Sequence, residues 1–222
     1  MGESVWFRQA RARREDPPMS RERIVAEAVA LLDEEGLARL TMRRLAERLG
    51  TGSTTLYWHV ETKDDVLDLA LDAVFGEARL PGEPSGDWRA DARALMGEWH
   101  AAMLRHPWTG ALLGRPLMGP NALARTEFLH AVLVRAGLTG AHLTAATYGL
   151  SHYVIGSAMM QAAWRGHDET AARRAADEHL RAHRDRYPSL AEHGHLSGED
   201  WDATFAHGLD YLLDGIAARL GR

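Results

Sequence analysis

The sequence predicts an all-α fold: an N-terminal three-helix helix-turn-helix domain followed by a larger helical domain. Three observations carry that expectation. Apolar residues recur at three- and four-residue spacing along most of the 222 residues, and no stretch alternates in the manner of a strand. The segment Thr41–Val60 reads as two short helices hinged at a glycine. The breaker-rich run Pro81-Gly82-Glu83-Pro84-Ser85-Gly86-Asp87 then marks the clearest boundary between a small head and a longer body.

The elements follow in order. Residues 1–18 hold Arg8, Arg11, Arg13 and Arg14 and end in Pro17-Pro18. They read as a basic arm, either a disordered leader or an extension that adds phosphate or minor-groove contacts. Ser20 caps a helix through Ile24, Val25, Ala28, Leu31 and Leu32 that ends near Gly36. Thr41 caps the next, with Met42, Leu45, Ala46 and Leu49 as its apolar stripe. Gly50 supplies the left-handed turn, and Ser53 is expected to cap the helix after it. That helix carries hydroxyls on its first turn (Ser53, Thr54, Thr55) and an aromatic pair, Tyr57 and Trp58, on its next. In a helix-turn-helix the leading turn of the second helix meets base edges in the major groove.

Lys63-Asp64-Asp65 opens another amphipathic helix, through Val66, Leu67, Ala70, Leu71, Val74 and Phe75. A cation is disfavoured at a helix N-terminus unless an anion such as phosphate lies nearby, which gives Lys63 a functional reading. The DNA-binding domain is assigned to residues 19–66, and the ligand-binding and dimerisation domain to 67–222. The latter is expected to hold helices at about 87–105, 121–136, 142–164, 169–184 and 198–220, with an irregular stretch between Pro107 and Pro120. The helix at 142–164 is apolar or small around most of its circumference. The last one opens on the capping-box pattern Ser197-Gly198-Glu199-Asp200 and presents Trp201, Phe205, Leu209, Leu212, Leu213, Ile216 and Leu220. Such broad apolar faces need a deep core or a second subunit, so these two helices are read as the homodimer contact.

A net charge of −5 does not exclude nucleic acid, because phosphate binding needs only a local basic face. Arg39, Arg43, Arg44, Arg48 and Lys63, the only lysine, gather around the helix-turn-helix. Arg44 and Arg48 read as solvated or paired with Glu47 or Asp33; Arg43 is the candidate for guanine, whose O6 and N7 a guanidinium bonds together. The chain has no cysteine, which excludes disulfides, thiolate zinc sites and cysteine nucleophiles. It has no apolar run of membrane-spanning length and no signal-peptide core, so a cytoplasmic protein is expected. No nucleophile–base pair, glycine-rich phosphate loop or catalytic carboxylate pair is present, so no enzyme and no cofactor is expected.

The run Leu56-Tyr57-Trp58-His59-Val60 with Lys63, preceded by Leu40-Thr41-Met42-Arg43-Arg44-Leu45-Ala46-Glu47-Arg48-Leu49-Gly50, resembles the signature of the TetR family of transcriptional regulators. The resemblance covers roughly 19–78. A second, weaker one at Phe205–Ile216 is similar to the last dimerisation helix of the tetracycline repressor branch. The family implies a homodimer on a palindromic double-stranded DNA operator, released by a small-molecule inducer. It implies that Ser53, Thr54, Thr55 and Tyr57 face bases, and that Trp58 packs or meets the backbone. Thr41, His59 and Lys63 would touch phosphate, Arg43 a base or phosphate, with Met42 beside it in the same contact set. Ser53-Thr54 replaces the glutamine-proline pair of the tetracycline repressor, so a different operator is expected.

For the inducer, the reading from the residues selects Trp99, His100, Met103, Trp108, Tyr148, His152, Met159 and Gln161 as lining a pocket for a bulky, largely apolar compound. Most of these are also good core residues, and His100, His106 and His152 fit a buried structural role equally well. His179 with His183, and His193 with His195, have spacings that a metal could use, but solvated surface histidines explain them better and no metal site is assigned. Two alternatives remain open: a regulator without an inducer, whose larger domain contacts protein, or a helical metal-binding protein or enzyme.

Overall fold

The structure, a computed structural model, describes residues 19–115, 117–165, 168–194 and 200–221. The basic arm and the Ser197 capping box expected from the sequence lie outside these residues. Among the described residues there are ten α-helices, one 3-10 helix and no strand. None of the helices is long and apolar enough to cross a membrane.

The head is built from α1 (Arg21–Glu35), α2 (Met42–Arg48) and α3 (Ser53–Leu56). Ser20 caps α1 by accepting from the Arg23 N–H, and Thr41 caps α2 by accepting from that of Arg44 at 3.0 Å. Gly36 and Gly50 both take positive φ, 77° and 67°, where the chain must leave a helix sharply. The expected Ser53 cap is not formed. Gly52 is the N-cap residue, without a side-chain bond, and Ser53 is the first residue inside the helix. α3 is a single regular turn, continued by hydrogen bonds from Trp58, His59 and Val60 back to Thr55 and Leu56.

α4 (Lys63–Glu77) runs unbroken across the expected boundary after residue 66. A full capping box starts it: Thr62 Oγ1 accepts from the Asp65 N–H and Asp65 accepts from that of Thr62, both at 3.0 Å. Its apolar face is wide enough to pack on α1 on one side and on α5 (Trp88–Arg105) and α6 (Pro120–Arg135) on the other.

Two reciprocal caps tie α4 to α6. Asp72 of α4 accepts from the backbone N–H groups of Asn121 and Ala122, at 3.2 and 2.9 Å, and so caps α6 from outside. Arg125 of α6 is buried and donates to the carbonyls of Gly76 and Ala78, at the C-terminal end of α4. Burial lowers the pKa of Arg125, and the nearby Asp72 carboxylate opposes that shift.

A polar seam joins head to body. His106, just before the 3-10 helix Pro107–Leu112, pairs through Nδ1 with Asp33 of α1 at 2.7 Å and through Nε2 with Glu77 of α4 at 3.0 Å. Trp108 donates its indole N–H to the same Asp33 at 2.7 Å, and Arg105 pairs with Glu77. The body is completed by α7 (Gly140–Arg165), α8 (Glu169–Ala182), α9 (Pro188–His193) and α10 (Trp201–Leu220). The sequence reading has no counterpart of α9. α10 begins at Trp201, later than expected, because Asp200 is its cap and accepts from the Ala203 N–H at 2.8 Å.

Candidate nucleic-acid interface and ligand cavity

The reading surface is assembled by anchoring its inner face. Leu45, Ala46, Leu49, Leu56 and Val60 are buried, which turns the residues between them outward. Tyr57 is 51% exposed and Trp58 84%, far more than packing of the head would leave. Thr54 and Lys63 are exposed; Ser53, Thr55, His59 and Met42 are half-buried beside them. The carbonyl of His59 accepts from Arg21 of α1 at 3.2 Å, which fixes the turn after α3.

The arginines of the head separate by partner. Arg48 is held by Glu27 and Glu34, and Arg44 by Glu35, so both are folded back onto α1. Pairing with Asp33 is not seen, because that carboxylate is taken by the seam. Among the described residues Arg43 pairs only with the exposed Glu47, at 3.0 Å, and an exposed pair of this kind exchanges readily for phosphate or base. Lys63 has no ion-pair partner among the described residues.

In the body, α4, α5, α6 and α7 enclose a cavity of about 630 Å³. Four of the sequence-selected residues line it: Trp99, Met103, Tyr148 and His152. The other four are placed elsewhere, for identifiable reasons. Trp99 faces the cavity, and His100, about 100° further round α5, faces α10. His100 stacks there on Phe205, ring centroids 3.8 Å apart. Trp108 is committed to the seam. Met159 packs over Gly110 of the 3-10 helix, and Gln161 lies against Asp200, Trp201 and Asp202.

Phe75 of α4 meets Trp99 edge to face at 5.2 Å, and both are in the wall. The Trp99 indole N–H has no hydrogen-bond partner among the described residues. On α7 the lining positions Thr144, Thr147, Tyr148, Ser151, His152 and Ile155 form one helical face. The hydroxyls of Thr144, Thr147 and Ser151 donate to their own helix four residues back, which leaves each oxygen free to accept. His179 and His183 lie side by side on α8, ring centroids 4.3 Å apart, with no third ligand near enough among the described residues. His195 lies outside the described residues.

Residues 24–70 match the family model for bacterial regulatory proteins of the tetR family, and residues 80–220 match that of the tetracyclin repressor-like C-terminal domain. The chain belongs to the TetR family of transcriptional regulators. An HTH-type transcriptional regulator of Saccharopolyspora erythraea is 51% identical to this regulator over 98% of its chain and 93% of the relative's. The HTH-type transcriptional repressor DrrR1 of Streptomyces coeruleorubidus is 35% identical over 90% of this chain and 78% of its own. Among solved structures, the TetR family protein ActR of Streptomyces coelicolor, in complex with actinorhodin, has a TM-score of 0.83 and 29% identity, over 93% of the regulator and 100% of that chain. These relatives are regulators rather than enzymes.

Reading the regulator's sequence for bulky and aromatic residues misses much of the polar wall. Arg115, Thr126, His130, Thr144, Thr147 and Ser151 all line the cavity. The signal is available on the helices, where Thr126 and His130 are four apart and the α7 hydroxyls share a face. It is not available for Arg115, which reaches the wall from an irregular segment.

Proposed function

We propose that this TetR-family regulator is a ligand-released repressor that binds a palindromic operator as a homodimer. Residues 19–66 serve as the reading head and 67–222 as the ligand and dimer domain, with the basic arm 1–18 available to the DNA backbone. The observation that carries the reading is the course of α4, which starts at Lys63 on the head and contributes Phe75 to the cavity wall. A ligand that displaces Phe75 or Trp99 therefore acts on the helix that bears the head.

Ser53, Thr54, Thr55, Tyr57 and Arg43 read bases in this scheme, while Thr41, His59 and Lys63 hold phosphate, with Met42 and Trp58 on the rim. The exposure of Tyr57 and Trp58 supports it, since packing leaves them without a structural role. The cavity volume and its aromatic and methionine walls suit a bulky, largely apolar inducer. The complex of ActR with actinorhodin, and the repressor assignment of DrrR1, support the same scheme. α7 and α10 supply the dimer face, and the two heads then sit about 34–36 Å apart, one turn of DNA. Near-complete release requires the inducer to favour the released form by about 5.5 kcal/mol.

A gel shift on the DNA upstream of the regulator's own gene tests this. A sequence-selective complex is expected, weakening with salt by about 0.9 log units per log unit for each neutralised phosphate. Lys63→Gln should shrink that slope by about 1 per subunit without changing which sequence is preferred. No selective complex at low salt, or a slope that Lys63→Gln leaves unchanged, overturns the assignment.

A further inference from the structure

Among the described residues, Arg115 is the one member of the cavity wall with a fixed charge, and no carboxylate lines the cavity with it. The other polar groups of the wall are hydroxyls, the Trp99 indole N–H and the two histidines His130 and His152. A concave, mostly apolar site with a cation and no internal counter-charge is electrostatically suited to an anion.

The counter-charges of Arg115 come from outside the cavity. Its Nη2 donates to Asp64 at 2.6 Å and its Nη1 to Asp68 at 2.8 Å, so one guanidinium bridges two carboxylates on the first turns of α4. Those carboxylates are 70% and 59% exposed. Exposed pairs hold weakly because water screens them and both side chains must be ordered. The same guanidinium facing an anion within the apolar cavity acts in a lower dielectric and can donate two parallel N–H bonds. An anion in the cavity therefore competes with Asp64 and Asp68 for the Arg115 guanidinium.

The consequence falls on the head. Asp64 is next to Lys63, the residue assigned to phosphate. While Arg115 bridges them, it offsets one of the two negative charges of Asp64 and Asp68; once it leaves, both stand uncompensated beside the DNA backbone and the first turn of α4 loses a brace.

We propose that Arg115 is the coupling residue of the ligand site: it recognises an anionic group, such as a carboxylate or ionised phenol, on an otherwise apolar aromatic ligand, and that contact replaces its hold on Asp64 and Asp68. The proposal rests on the reading of the cavity as an inducer site.

Two fluorescent probes with the same ring system separate the claims: 1-anilinonaphthalene-8-sulfonate, an anion, and neutral N-phenyl-1-naphthylamine. The full-length regulator should bind the sulfonate about tenfold more tightly than the neutral probe, a difference of about 1.4 kcal/mol. Arg115→Gln should abolish that preference and leave the neutral probe unaffected. Asp64→Asn with Asp68→Asn removes the competitor, so it should tighten sulfonate binding several-fold, but only while Arg115 is present. By reciprocity, operator DNA should weaken the sulfonate by the factor that the sulfonate weakens DNA. Arg115 is at the surface, and a thermal melt confirms that the variants are folded.

If Arg115→Gln keeps the preference, Arg115 does not recognise the anion and the proposal is overturned. If the double aspartate variant binds the sulfonate as the parent does, the latch is overturned. Binding of neither probe by the parent removes the inducer site itself, and the proposal with it; binding of the neutral probe alone leaves that site standing and overturns only the role of Arg115.

Discussion

At position 100 the fold buries a titratable ring against an aromatic one, and the cost depends on pH. His100 is buried, stacked on Phe205, and its Nε2 has no partner among the described residues. Burial lowers its pKa from the ordinary 6.5; Asp202 opposes the shift and Arg165 adds to it. Unfolding restores the ordinary value, so below about pH 6.5 the unfolded chain binds a proton that the folded chain resists. Stability should be full above that value and fall as pH drops, by at most about 1.4 kcal/mol per pH unit from this group. His100→Phe keeps the stack and removes the proton. Melting temperatures from neutral pH down to 5 should show the variant gaining on the parent as pH falls; parallel curves would mean that His100 takes up its proton alike in the folded and unfolded chains.

The central element is α4, and its position is set by exchanged caps more than by its own propensity. Asp72 needs Gly119 beside it, since a Cβ built there overlaps the Asp72 carboxyl group. Gly119→Ala should therefore push Asp72 off the α6 N-terminus and cost what loss of a cap costs, about 1–2 kcal/mol. Asp72→Ala should cost a similar amount, and the double variant little more than either alone, because both remove one interaction. Urea unfolding measures this, and additive losses would show that the two act separately.

The same element shows what is legible in the sequence. α1, α2, α4 and the long helices follow from periodicity and local caps, because Ser20, Thr41 and Gly50 act within a few residues of themselves. Asp72 acts on residues 49 and 50 positions away, Asp33 on Trp108 75 positions away, and Arg115 on Asp64 51 away. No local pattern encodes partners at such separations, so the sequence reading puts Trp108 in the pocket and leaves Arg115 out of it. α9, six residues opened by Pro188, is too short to show a period. On the reading surface, by contrast, burial alternates within single helical turns, so the exposure of Thr54, Tyr57, Trp58 and Lys63 follows from the local pattern.

At the scale of the whole molecule, the seam of Asp33, Glu77, His106 and Trp108 ties head to body, yet a single head offers only one short recognition turn to DNA. Occupancy of a palindrome then depends on the proposed dimer. In this structure α10 packs on α7 through Phe205, Leu209 and Leu213, with Tyr153 Oη of α7 donating to the Phe205 carbonyl at 2.9 Å. Its opposite face keeps Tyr211 76% exposed, and at Gly215, one turn later, a Cβ would meet no atom within 4 Å. A large apolar ring next to a bare backbone patch fits close approach of a second helix. Gly215→Arg adds length and charge to that patch without touching the core of its own subunit. The variant should sediment as a folded monomer at concentrations where the parent is a dimer. It should also lose operator affinity by far more than one phosphate contact explains, because the second head no longer binds as part of the same molecule. A dimeric variant with undiminished operator binding would move the subunit contact away from this face of α10.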